Sequence, residues 1–314
     1  MATTNTENKN VKTKNEAEIV GILKENKLKI EKDRIMGSLV IQYGDNVDQQ
    51  AEVSIFINRK KKDGEVNKKF AEMIETNEKL VSQANATEER PVSTLRIYGN
   101  GDFKPSVDLY ERYNENTDSN LADIQISMGF GKIYIDDIPK NQFKGEFDMI
   151  IYLTKDPAKE VKKGKKTDRL AIEGVFITYT GAIKPINFVV EDENLIEGLE
   201  DCEKGQTINV WGSCKVAQIT KITTKKSGFG GKAKTDETSL TFRELIIEGG
   251  DPIKEDSDEA IESSVVKAGL AERETFLKEL KNKSKSKSDK ASKGKGGFGG
   301  DGGDSKIKDS DILF

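Results

Sequence analysis

Histidine is absent from this chain of 314 residues. That removes the side chain whose ordinary pKa lies nearest neutrality, together with every Ser-His-Asp or Cys-His nucleophile and every histidine-ligated metal site. Cysteine is almost absent. Cys202 and Cys214 stand alone without CxxC spacing, so a structural zinc site is excluded and both are expected to be inert thiols. No stretch approaches the roughly 18 consecutive apolar residues of a membrane helix, and residues 1–15 lack the apolar core of a secretory signal. A cytoplasmic, soluble protein is expected. The glycine runs at 228–231 and 296–303 lack the GK[ST] ending of a phosphate-binding loop, so no nucleotide cofactor is implied.

Charge is plentiful instead. Charged residues make up 34% of the chain, and 51 basic side chains nearly balance 55 acidic ones, for a formal charge of −4. An apolar share of 34% suits two modest cores rather than one large one. Residues 1–15 form a polar arm with Lys9, Lys12 and Lys14 against Glu7, expected to be disordered. From residue 18 short apolar runs alternate with turn residues at 19–30, 39–43, 53–58, 92–98, 124–128, 132–135 and 147–153, the spacing of a small antiparallel barrel. One helical pattern interrupts them at 66–84, with Phe70, Met73, Ile74, Leu80 and Val81 on one face. Residues 99–122 read as a long loop with a short segment near 107–113.

Residues 155–165 look like a basic linker, and a second series follows at 170–179, 183–190, 207–216 and 239–248, with a short helix near 194–199. Two mainly β domains, 16–154 and 166–249, are therefore expected, each an antiparallel barrel of the oligonucleotide/oligosaccharide-binding (OB) type with one inserted helix. Beyond them lie an acidic linker and a helix from about 258 to 281, with Gly269 a possible break. A disordered Lys/Gly-rich tail at 284–314 ends in an acidic-hydrophobic tip.

Several aromatics fall on the polar face of a predicted strand. In 52–60, Val53, Ile55 and Ile57 face inward and leave Phe56 outside; Trp211, the only tryptophan, is placed likewise against Ile208, Val210 and Cys214. Tyr98 beside Arg96, and Tyr134 beside Lys132, repeat the arrangement. Basic clusters adjoin these rings: Arg59, Lys60, Lys61 and Lys62 after Phe56, and Lys215, Lys221, Lys225, Lys226 and Lys232 after Trp211. Rings beside cations suit bases stacked on aromatics with phosphates held by ammonium and guanidinium groups. A solvated charged surface is the plainer alternative for any single run. The coupling of several runs to outward aromatics favours nucleic acid.

The Lys204-Gly205 turn, the strand through Trp211 to Gly212 and, after a basic hairpin, the strand at 240–247 together resemble the last two strands of bacterial and phage single-stranded DNA-binding proteins. In that family a Gly-rich tether leads to an acidic tip ending Ile-Pro-Phe that docks in partner pockets. Here Asp309, Asp311, Ile312, Leu313 and Phe314 resemble such a tip, with Leu313 in place of the proline and Lys306 and Lys308 diluting its acidity. The resemblance implies a non-enzymatic, phage-encoded protein in the host cytoplasm that coats single-stranded DNA in replication or recombination and recruits partner proteins through its tip. The competing readings are a phage structural or assembly protein and a magnesium-dependent enzyme built on Asp136 and Asp137. Adjacent strand residues point to opposite faces, which disfavours the enzyme.

Overall fold

The computed structural model describes residues 14–99, 104–129, 131–162, 164–178, 180–225 and 234–292. The arm at 1–13, Lys226, Lys232 and the tip from Asp309 to Phe314 lie outside these residues.

The first barrel opens with β1 (Asn15–Asn26), β2 (Lys29–Ile30), β3 (Arg34–Gln42) and β4 (Gln50–Asn58), in which β1 pairs with β3 and β3 with β4. Strict alternation along β4 buries Val53, Ile55 and Ile57 and exposes Phe56 and Asn58. Helix α1 (Lys68–Lys79) follows, its N-terminus capped by the Asn67 side chain, and buries Phe70 and Met73. β5 (Thr94–Tyr98) and β6 (Ser106–Asn114) then run one after the other along β1: Ile97 stands opposite Ile19, and further on the Ala17 amide donates to the Pro105 carbonyl at 2.7 Å. β7 (Ser119–Ser127) pairs antiparallel with β6 and parallel with β4, which closes the barrel. A meander of three strands, a helix, then two strands whose last lies parallel to the third is the OB arrangement. The stretch expected as a loop at 99–122 is largely the β6–β7 hairpin. Charged residues such as Glu111 and Arg112 obscure its alternation, because one side of the hairpin packs against another element rather than a core.

β8 (Lys132–Ile135) adds to β5, and β9 (Lys144–Leu153) opens the second barrel. One edge of β9 pairs with β13; the other pairs with β1 and then, at Tyr152 and Leu153, with β11. β9, expected as the last strand of the first domain, is thus the first strand of the second and joins both barrels into one sheet. β10 (Ala158–Lys162) and β11 (Lys165–Ile177) form a hairpin where a basic linker was expected. The lysines there face carboxylates across strands: Lys162 and Arg169 reach Glu244 at 3.2 and 3.0 Å. β12 (Ile183–Val190), α2 (Glu193–Glu200), β13 (Thr207–Lys225) and β14 (Lys234–Pro252) complete the second barrel, with β14 parallel to β12. Helix α3 (Ser263–Ser292) continues unbroken through Gly269, where the helix packs so closely that a Cβ would lie 2.6 Å from Ile183, and extends well into the expected tail.

A single hydrophobic cluster runs through both barrels, from Leu23, Leu39 and Ile55 to Phe147, Phe188 and Leu245. The seam is specific as well as apolar. The Tyr43 ring fills the place a Cβ would take at Gly145, and its hydroxyl donates to the Cys214 carbonyl. The Val216 amide donates to the Asp48 carbonyl at 3.0 Å, Arg243 Nε donates to Glu52 at 2.9 Å, and Lys184 pairs with Asp108 at 2.7 Å. Burial pushes the Cys214 thiol up to about 12, as an inert thiol requires.

Candidate nucleic-acid interface

Outward positions of β3 and β4 form the first candidate surface. Met36 stands opposite Phe56 and Arg34 opposite Asn58, while Lys29 of β2 stands opposite Met36. Phe56 is 61% exposed, a large cost in hydrated apolar area for a ring whose neighbours on either side along β4 are buried. Arg59, Lys60, Lys61 and Lys62 continue the strand into an exposed turn. Arg34 is held by Glu31 at 2.7 Å and Lys61 by Glu65 at 2.8 Å, both exposed pairs that are worth little and can yield to a phosphate. Arg34, Lys29 and Met36 were missed by sequence reasoning. The signal for them is strand register, which the linear pattern of single residues does not carry.

The lower end of this face is closed. Glu52, the next outward residue but one before Phe56, accepts from Ser38 Oγ at 2.7 Å and from Arg243 of the second barrel. Burial alone would raise the Glu52 carboxyl, but those two hydrogen bonds and the Arg243 charge outweigh it and hold the group below its ordinary value.

On the equivalent face of the second barrel, the end next to the β11–β12 turn is covered, while Asn187 farther along stays exposed. Val175 and Ile177 of β11 and Ile183 of β12 pack with Ile150 against Ile261 and Val266, with Val265 and Leu270 beside them. Helix α3 then crosses to the first barrel, where Arg273 Nε pairs with Glu111 at 2.7 Å and Lys281 lies 5.6 Å from the Tyr113 ring centre.

The remaining predicted residues meet on a different surface. Across the continuous sheet, β8, β5, β1, β9 and β13 present their outward side chains in rows. Tyr98 and Tyr134 make an edge contact with ring centres 5.7 Å apart, and Arg96 and Lys132 stand beside them on the same ladder. Trp211 lies flat over Gly249, where a Cβ would come within 2.3 Å of the indole nitrogen, and its other side opens into a groove of about 640 Å³ shared with Arg96, Tyr98 and Lys104. Between these aromatic margins the groove is lined by Glu16, Glu18, Glu146, Asp148 and Glu248. Salt bridges from Lys14 and Lys144, at 2.5 and 2.7 Å, and one from Lys104 offset part of this charge. Alternation thus places Trp211 outside, as expected, and the neighbouring strands supply carboxylates beside it. Lys215, expected beside it as a phosphate contact, is engaged by Glu191 at 2.9 Å. Lys221 and Lys225 belong to β13 beyond the barrel. Asp136 and Asp137 follow β8 at the exposed surface, with Asp136 Oδ1 accepting from the Asp137 amide at 2.8 Å.

The family model described as YorF matches residues 14–283. None of the curated proteins matches the chain. Among solved structures, the chain is similar to the wild-type single-stranded DNA binding protein from Thermus aquaticus, at 11% identity and a TM-score of 0.41, covering 77% of this chain and 94% of that one. A deletion mutant of the same Thermus aquaticus protein aligns at 10% identity and a TM-score of 0.43, covering 78% and 97%. A replication protein A heterotrimer bound to single-stranded DNA aligns at 8% identity and a TM-score of 0.22, covering 74% and 49%. Strand order and register define the two barrels, each closed by a parallel pairing, β7 with β4 and β14 with β12.

Proposed function

The chain belongs to the YorF family, and we propose that it binds single-stranded DNA without catalysis, through the β3–β4 face of its first barrel. The observation that carries this reading is Phe56, exposed at an outward strand position opposite Met36 and bordered by Lys29, Arg34, Arg59, Lys60 and Lys62. An open ring within a cationic surround offers a stacking platform to bases of any identity and counter-charge to the backbone. The carboxylate-lined groove at Trp211 is assigned no phosphate contact. We further propose a role in phage DNA replication or recombination in the host cytoplasm, with Asp309, Asp311, Ile312, Leu313 and Phe314 as the segment that recruits partner proteins.

Titration of labelled oligo(dT) and of a duplex of equal length, at several salt concentrations, tests the DNA reading. Single strands should bind preferentially, with a log–log salt slope of about −0.7 per neutralised phosphate. Phe56→Ala should weaken binding by about 1–3 kcal/mol, roughly 5- to 150-fold, if one base stacks there. A folded Phe56→Ala protein with unchanged affinity, or equal affinity for duplex, would overturn the reading in favour of a protein-binding assembly role.

A further inference from the structure

Trp211 stands among carboxylates, but the opposite margin of the same sheet does not. β5 pairs with β8 from Leu95 opposite Ile135 to Tyr98 opposite Lys132, and among the described residues β8 pairs with no other strand. Alternation buries Leu95 and Ile97 and sends Arg96, Tyr98, Lys132 and Tyr134 outward. Register sets Arg96 opposite Tyr134 and Tyr98 opposite Lys132, so rings and cations alternate both along and across the pair. The two rings meet edge to face at 71°, a contact that spends one ring face of the four, and Tyr134 is 56% exposed. Arg96 Nη2 donates to Gln142 Oε1 at 3.3 Å and its Nε is buried without an acceptor. Among the described residues neither Arg96 nor Lys132 is paired with a carboxylate. On β1, the strand next to β5, the outward carboxylates are already countered: Glu18 by Lys144 at 2.7 Å and Glu16 by Lys104.

The ladder is tied to the Phe56 face at two points. The Met128 amide donates to the Ser54 carbonyl at 3.0 Å, a contact two residues before Phe56 on β4 and four before Lys132, the first residue of β8. Helix α1 supplies the second. The Asn67 side chain donates to the Asn58 carbonyl at 2.9 Å, and Lys69, two residues on, lies close to Lys132: burial lowers the Lys69 pKa, and the Lys132 charge adds to the lowering against the pull of Glu72. The first turn of α1 carries no acidic residue.

Resting on the single-stranded DNA reading, we infer that the β5–β8 ladder is a second stacking platform for the same strand, in which Tyr134 and Tyr98 take bases and Arg96 and Lys132 take the phosphates between them. A strand leaving Phe56 crosses the N-terminal turn of α1 to reach it. Glu146 and Asp148 belong to β9, on the far side of β1, so this path avoids them. Asp136 and Asp137, which follow Ile135, mark where the platform ends.

Since Trp211 is the only tryptophan, Tyr134→Trp in a Trp211→Phe chain places a single fluorescent reporter in the platform. Oligo(dT) of roughly 16 nucleotides, at the upper end of the site sizes of such barrels, should quench that reporter with the same midpoint as binding followed by anisotropy. Tyr134→Ala should weaken binding about fivefold or more, and Tyr134→Phe should restore it, because a phenyl ring stacks without the hydroxyl. Arg96→Gln combined with Lys132→Gln should make the log–log salt slope shallower by about 1.4, two phosphates at about 0.7 each. A merely structural cross-strand pair would shift the thermal midpoint and none of these readouts. If circular dichroism shows Tyr134→Ala to be unfolded, the reporter and the salt slope decide. An unquenched reporter, an unchanged salt slope, or full affinity in a folded Tyr134→Ala protein would overturn the second platform while the wild-type chain still binds single strands. Failure of the wild-type chain to bind oligo(dT) would instead remove the reading on which the platform rests.

Discussion

Arg243→Ala probes how firmly the second barrel is seated on the first. Glu52 keeps only 14% of its side-chain exposure and Arg243 only 23%, so truncating the arginine leaves a largely desolvated carboxylate with Ser38 Oγ as its remaining side-chain donor. Removing one partner of a fully buried pair costs about 3–5 kcal/mol, and the residual exposure of Arg243 sets the expectation near the lower limit, about 3 kcal/mol. Set against a total of about 5–15 kcal/mol for a folded domain, that is a large fraction. At a urea dependence of about 1–3 kcal/mol per molar, the unfolding midpoint should fall by roughly 1–3 M. Because one hydrophobic cluster spans both barrels, the described body should unfold in one transition at neutral pH.

The pH dependence supplies a second check. In the native chain the Glu52 carboxyl lies below its ordinary value of 4.5, so its contribution is complete above that pH and is lost as the pH falls through the lowered folded value. In Arg243→Ala the burial remains and the arginine is gone, which reverses the sign: the unpaired carboxylate destabilises above its unfolded pKa and is relieved on protonation. The gap between mutant and wild type should therefore narrow as the pH drops from 7 towards 4. Glu52→Gln in the mutant background should recover most of the loss at pH 7. A neutral-pH difference below about 1 kcal/mol, the range of an exposed pair, or a gap that does not change with pH, would refute the account of the seam.

Two further outcomes follow from the site assignments. Saturating oligo(dT) should leave Trp211 emission unquenched, and Trp211→Ala should keep affinity within about twofold, since a carboxylate-lined groove repels phosphate; quenching in parallel with binding would bring the groove into the DNA path. Deleting residues 309–314 should leave DNA affinity equal or slightly higher at low salt and remove partner proteins in a pull-down, with Phe314→Ala alone matching the deletion; unchanged partners would exclude the tip as the docking segment.

What the sequence discloses here and what it conceals divide along a physical line. Features set by neighbours along one strand or helix are visible. The alternation of β4 puts Phe56 outside, the 3.6-residue spacing of Phe70, Met73 and their neighbours yields α1, and Ile208, Val210 and Cys214 leave Trp211 on the outer side of β13. Features set by which strands lie side by side are not. Residues 155–165 carry lysines at a density that suggests a solvated linker, yet β10 is stabilised by Glu244, far along the chain. β9 is an apolar run equally suited to either barrel, and only its pairing with β1, β11 and β13 shows that it opens the second and fuses both. The same limit explains Trp211: its own strand is basic beyond Cys214, whereas its lateral neighbours Asp148 and Glu248 come from β9 and β14. It explains the second barrel too, whose apolar outer residues Val175, Ile177 and Ile183 fit a core equally well until α3 is seen to cover them. An outward aromatic is therefore only half of a nucleic-acid signal; the adjacent strands decide its electrostatic surround, with Lys29 and Arg34 on the strands beside Phe56 and carboxylates beside Trp211.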